Sequence, residues 1–154
     1  MANDNTNDAQ AYRRPPEPSP ELKGLDRLVG KWEVSGDYVR GTSTFEWMEG
    51  NLFLLQRVDF ERQDGQRIEG IEIIGHERPF GAEPSEEIKS RFYSNMGDTL
   101  DYVYELEDDT LTIWGGEKGS PAYYRGTFGA DGDSLSGAWH YPGGGYEATS
   151  TRVG

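Results

Sequence analysis

Residues 52–74 read LFLLQRVDFERQDGQRIEGIEII. Leu52, Leu54, Val58 and Phe60 alternate with Arg57, Asp59 and Glu61. Successive side chains of a strand point to opposite faces, so this period of two gives one apolar and one charged face. Gln63-Asp64-Gly65 follows and is a strong hairpin signal. Ile68 to Ile74 then reads as the returning strand. Alternation, an Asp-Gly turn and a second apolar run together predict an antiparallel pair.

The same pattern extends in both directions. Upstream, Lys31 to Arg40 carries Trp32, Val34 and Tyr38 on one face, and Thr42 to Met48 carries Phe45 and Trp47. Glu49-Gly50-Asn51 turns the chain into Leu52 to Glu61. Downstream, His76 to Glu86 is the longest loop. Further strands are predicted at Glu87 to Ser94, Leu100 to Glu107, Thr110 to Trp114, Ala122 to Phe128, Leu135 to Tyr141 and Tyr146 to Val153. Short strands at about 12-residue spacing are the all-β signature. Most connections leave no room for crossover helices, so neighbours pair antiparallel. An open sheet of this order would expose two edges, and closure removes both. The predicted fold class is all-β: a closed antiparallel up-and-down β-barrel of about ten strands.

Pro20 to Val29 predicts one short helix. Pro20 suits the first turn, Leu22, Leu25, Leu28 and Val29 share a face, and Gly30 stops it. Such a helix is expected to lie over one end of the barrel. Residues 1–19 are polar and proline-rich, which predicts a disordered tail before a single domain over 20–154.

The chain of 154 residues holds 15 Lys and Arg against 28 Asp and Glu, a formal charge of −13. That balance disfavours nucleic acid and anionic membrane surfaces as partners. With no cysteine, disulfides, thiolate metal sites and a cysteine nucleophile are excluded. The first ten residues, MANDNTNDAQ, lack the basic and apolar regions of a signal peptide. No apolar run approaches the roughly 18 residues of a membrane span. A cytoplasmic location is expected. The 21 glycines and nine tyrosines suit turns and strands.

Gly30-Lys31-Trp32, directly after the helix, resembles the opening motif of lipocalins, fatty-acid-binding proteins and nitrobindin-like proteins. The wider run resembles a bacterial family of lipocalin-like domains of unknown function. The matching pieces are residues 47–50, 71–75, 124–128, 131–132 and 135–139, and the closing Thr151-Arg152-Val153. The resemblance implies architecture more than activity. It implies that Trp32 packs across the closed end of a calycin barrel with Arg152 over its ring, a structural pair. It also raises haem, because nitrobindin-like barrels hold iron on a histidine near the C-terminal strands. Parity opposes His140 in that role: if Trp139 faces inward, His140 faces out. His76 stands at a loop mouth, as a ligand or merely exposed.

With the apolar face of each strand turned inward, the lumen receives Tyr38, Phe45, Trp47, Leu54, Gln56, Val58, Ile71, Ile73, Phe92, Tyr102, Tyr104, Ile113, Tyr124, Trp139 and Tyr141. Rings with a few hydroxyls and one amide suit a hydrophobic ligand with one or two polar handles. The same residues could instead fill a collapsed core. The ligand-binding candidates are Tyr38, Trp47, Gln56, Tyr102, Tyr104, Tyr124 and Trp139. Gln56, between Leu54 and Val58, must find a partner or meet a ligand. Arg91, Tyr93 and Arg125 would bind an anion only in the opposite register, and the outward one is favoured.

No Gly-x-Ser-x-Gly elbow, phosphate loop or zinc-protease motif is present, and catalytic residues stay unassigned. Glu46 and Glu72 are read with the solvated acids. Glu105, Glu107, Asp108 and Asp109 read as a solvated hairpin, although their oxygens suit a hard cation. Neither a metal nor another cofactor is expected. The first functional expectation is binding of a small, mostly hydrophobic molecule in the lumen. The alternatives are a cyclase or isomerase working inside it, a haem protein, and a filled structural module that pairs as a homodimer.

Overall fold

The computed structural model describes residues 14–154. Of the predicted tail, residues 1–13 lie outside the described residues. Ser19 caps the N-terminus of helix α1 (Pro20–Gly24): its hydroxyl accepts from the Leu22 amide at 3.1 Å, and Pro20 opens the first turn. A 3₁₀ turn, Leu25–Leu28, continues it. The predicted single helix is therefore an α-turn followed by a tighter one.

Ten strands follow: β1 (Gly30–Ser35), β2 (Val39–Trp47), β3 (Phe53–Arg62), β4 (Arg67–His76), β5 (Ile88–Ser94), β6 (Thr99–Glu107), β7 (Thr110–Gly115), β8 (Tyr123–Phe128), β9 (Ser134–Tyr141) and β10 (Gly144–Arg152). Each pairs antiparallel with its chain neighbours, and β1 pairs with β10 to close the barrel. The predicted first strand, Lys31 to Arg40, is in fact divided. The chain bends through residues 36–38, so Val39 already belongs to β2. Tyr38 thereby stands at a turn.

One end is plugged. Leu22, Leu25 and Leu28 pack in one cluster with Trp32, Leu54, Ile74, Leu111 and Phe128. Full burial of each leucine contributes about 2 kcal/mol. Arg27 ties the plug to the β6–β7 turn, donating to the Asp108 carbonyl at 3.0 Å and pairing with Asp109 at 3.0 Å. Beneath the plug the first and last strands are pinned together. The Arg152 guanidinium lies 4.3 Å from the centroid of the buried Trp32 ring, and Trp32 faces Arg152 across the β1–β10 ladder. Arg152 also donates to the carbonyls of Val29, Arg27 and Gly132 and pairs with Asp133. Gly30 permits this contact: at φ 127° it sits where a Cβ would come within 2.7 Å of the Arg152 guanidinium.

No helix among the described residues is long and apolar enough to cross a membrane.

Candidate functional site

Two positions of the inner wall carry small side chains, Ser43 on β2 and Ala148 on β10, while the Phe92 and Tyr124 rings lie over Gly70 and Gly126. A ten-strand barrel is too wide for such a wall to fill. It leaves a lumen of about 780 Å³. That size lies within the usual range of small-molecule sites, roughly 300–1,000 Å³. Leu28, Trp32, Leu111 and Leu135 form its floor above the plug. Phe45, Gln56, Phe92, Tyr102, Tyr104, Ile113, Tyr124 and Trp139 line its wall. Tyr38, Arg62, Ile68, Thr99, Leu100, Tyr141 and Tyr146 line the mouth, at the strand ends opposite the helix.

Of the seven predicted ligand-binding residues, Tyr38, Gln56, Tyr102, Tyr104, Tyr124 and Trp139 line this cavity together. Trp47 does not. It sits at the last residue of β2, at the plugged end, where its indole donates to the Asp26 carboxylate at 2.8 Å. Leu54 is fully buried in the plug cluster below the lumen.

Ile71 and Ile73, expected inside, are 37% and 39% exposed on the outer face. The hairpin sets this parity. Residues 63–65 form a three-residue loop with Gly65 at φ 88°, and the Arg62 amide donates to the Gln66 carbonyl across it. Leu54 then pairs with Ile74, Gln56 with Glu72 and Val58 with Gly70. Directly paired residues share a face. With Gln56 and Val58 facing the lumen, Glu72 and Ile74 face it too.

Glu72 is the inward residue that the sequence reading placed among the solvated acids. It lines the lumen at 5% exposure, and its Oε2 accepts from the Tyr104 hydroxyl at 2.6 Å. Burial pushes its carboxyl above the ordinary range, against the opposing pull of Ser90 and Tyr104. The buried Ser90 hydroxyl leans on the same carboxyl but completes no well-formed hydrogen bond. Beside it, Gln56 Nε2 donates to Ser43 Oγ at 2.7 Å. Ser43, Gln56, Glu72, Ser90 and Tyr104 thus form a polar patch on one side of the wall, spread over β2 to β6.

Aromatic rings cover much of the rest of the wall. Trp139 lies 5.8 Å from Tyr102, 5.6 Å from Tyr124 and 6.2 Å from Tyr141, and Tyr38 lies 4.8 Å from Tyr146. Burial pushes the Tyr124 hydroxyl up to about 12 and also raises those of Tyr102, Tyr104 and Tyr146 well above the usual phenol value. These phenols remain protonated donors at neutral pH.

The remaining candidates are on the outer face or outside the lumen. Arg125 lies over the rings of Tyr123 and Trp114 at 4.9 and 5.6 Å and donates to Thr112. Arg91 pairs with Asp101 at 2.7 Å, and Tyr93 is exposed. His140 stacks on Tyr123 outside. His76 is hydrogen-bonded through both ring nitrogens, to Ser19 Oγ and the Ser85 carbonyl. Neither histidine lines the lumen, so no imidazole there could hold haem iron. In the acidic hairpin, Glu105 accepts from Trp114 Nε1 and pairs with Lys118, while Asp109 pairs with Arg27. Among the described residues no group of three or more His, Cys, Asp or Glu could hold a metal ion.

Fold and site define a closed ten-strand up-and-down barrel, plugged at one end, with a cavity reaching the other. No known family model matches the sequence, and no curated protein matches it. Among solved structures the chain is similar to one described as a de novo designed fluorescence-activating β-barrel. The identity is 15%, the TM-score 0.47, and the match covers 84% of this chain and 97% of the other.

Proposed function

We propose that the chain binds a small, mostly hydrophobic molecule in the barrel lumen, as a calycin-type carrier of the cytoplasm. The observation that carries this reading is the cavity of about 780 Å³, walled by aromatic and aliphatic side chains. The pairing of Trp32 with Arg152 at the plugged end supports the calycin comparison, and the absence of cysteine accords with a reducing compartment. Tyr38, Gln56, Tyr102, Tyr104, Tyr124 and Trp139 would touch the ligand, with Glu72 added and Trp47 left out.

The test is a fluorescence titration with N-phenyl-1-naphthylamine, an uncharged probe that brightens on leaving water. The native protein should bind it at micromolar concentration. Ala148→Trp, which places a large ring in the lumen from β10, should weaken binding by at least about tenfold. Equal binding by native and variant protein would put the probe elsewhere and remove the lumen from the account.

A further inference from the structure

Glu72 is a carboxyl inside an aromatic cavity, and among the described residues no cation stands beside it. Its well-formed hydrogen bond comes from a neutral donor, Tyr104, and the groups that shift it are Ser90 and Tyr104. The guanidiniums nearest the lumen are already paired. Arg62 at the mouth reaches both carboxylate oxygens of Asp64, at 3.3 and 2.8 Å. Arg152 below the floor is held by Asp133 and by backbone carbonyls. Tyr102, Tyr104, Tyr124 and Trp139 line the same cavity, and aromatic rings attract cations. An anion would find neither a countercharge here nor a favourable field around a chain of net charge −13.

We infer that the lumen takes a hydrophobic amine, an apolar body carrying a single ammonium group, which ion-pairs with Glu72 and is ringed by the tyrosines. The ammonium offers three donors, which suit the oxygens of the Glu72 carboxylate. The apolar body extends past Trp139 towards the mouth. This inference rests on the lumen being a ligand site and specifies what occupies it.

The experiment compares decylamine, decanol and decanoate, three probes with one chain length and different heads, by calorimetric titration of the full chain. Decylamine should bind at least about tenfold more tightly than decanol, and decanoate most weakly. Glu72→Gln should abolish the preference for the amine while decanol binding persists. A second readout uses the native protein. The groups facing Glu72 are Ser43 and Gln56 from β2 and β3, Ser90 from β5, and Tyr102 and Tyr104 from β6. The tyrosines are raised far above neutrality, so Glu72 is the group among these that ionises below the range in which they do. A primary alkylamine stays charged below that range. The decylamine-to-decanol affinity ratio should therefore fall on acidification. Equal affinities for the three probes, a preference that survives Glu72→Gln, or a pH-independent ratio would overturn the inference and leave the lumen site standing. Failure of all three probes to bind would overturn both.

Discussion

A carboxyl moved out of water without a countercharge favours its protonated form, and Glu72 is in that position. Between the ordinary carboxylate pKa and the raised native one, folded Glu72 keeps a proton that the unfolded chain has lost. The native state then binds more protons, so stability falls as pH rises through that window. Asp64 and Asp101, both exposed and lowered by their hydrogen-bonding partners, act below the ordinary carboxylate range and do not overlap it. Melting temperatures from about pH 4 to about pH 9 should show the decline in the native protein. Glu72→Gln, which cannot ionise, should flatten it and melt higher at the alkaline end. Superimposable curves would mean that burial costs this carboxyl nothing. At this scale the sequence was readable where the resemblance or the strand alternation names the role. Trp32 and Arg152 meet as the motif implies, and Gln56 faces the lumen. Glu72 was misread because a lone acid on a strand is usually solvated, and on a strand with apolar residues at both parities the type of one residue does not fix its face.

The β3–β4 hairpin shows where that information was. An isoleucine at 68, 71, 73 and 74 gives β4 apolar side chains on both faces, so periodicity cannot choose between them. The turn can. A three-residue loop at 63–65 forces even-numbered residues of β3 to pair with even-numbered residues of β4, which places Glu72 beside Gln56. Turn geometry fixes register, and a slip by one residue would exchange the faces. The helix was legible as an apolar face, but its division into an α-turn and a 3₁₀ turn was not, because both geometries keep Leu22, Leu25 and Leu28 on the barrel side. That plug is an element-scale prediction. Leu25→Ala removes a side chain that is 1% exposed and should cost about 3 kcal/mol in urea unfolding. A loss below about 1 kcal/mol would mean that the helix merely rests on the barrel.

The molecule as a whole follows from two features of the sequence. Strands too closely spaced for crossovers make a meander, and the meander closes through the β1–β10 ladder under Arg152. The width of ten strands, with Ser43 and Ala148 small on the inner wall, then keeps the interior from collapsing into a solid core. The first feature was legible as ten alternating segments. The second was not, because whether aromatics fill a barrel or line it depends on the small residues opposite them, and those can be placed only after every register is known. The central claim is therefore the hollow interior, and its four tryptophans report on it separately. Trp139 is in the wall, Trp32 in the floor with its indole bonded to the Leu28 carbonyl, Trp47 at the plugged end on Asp26, and Trp114 on Glu105. In a ¹⁵N–¹H spectrum recorded during titration with N-phenyl-1-naphthylamine, the Trp139 indole signal should move most and those of Trp47 and Trp114 should stay in place. Movement of Trp114 with Trp139 unchanged would place binding outside the barrel and contradict the account.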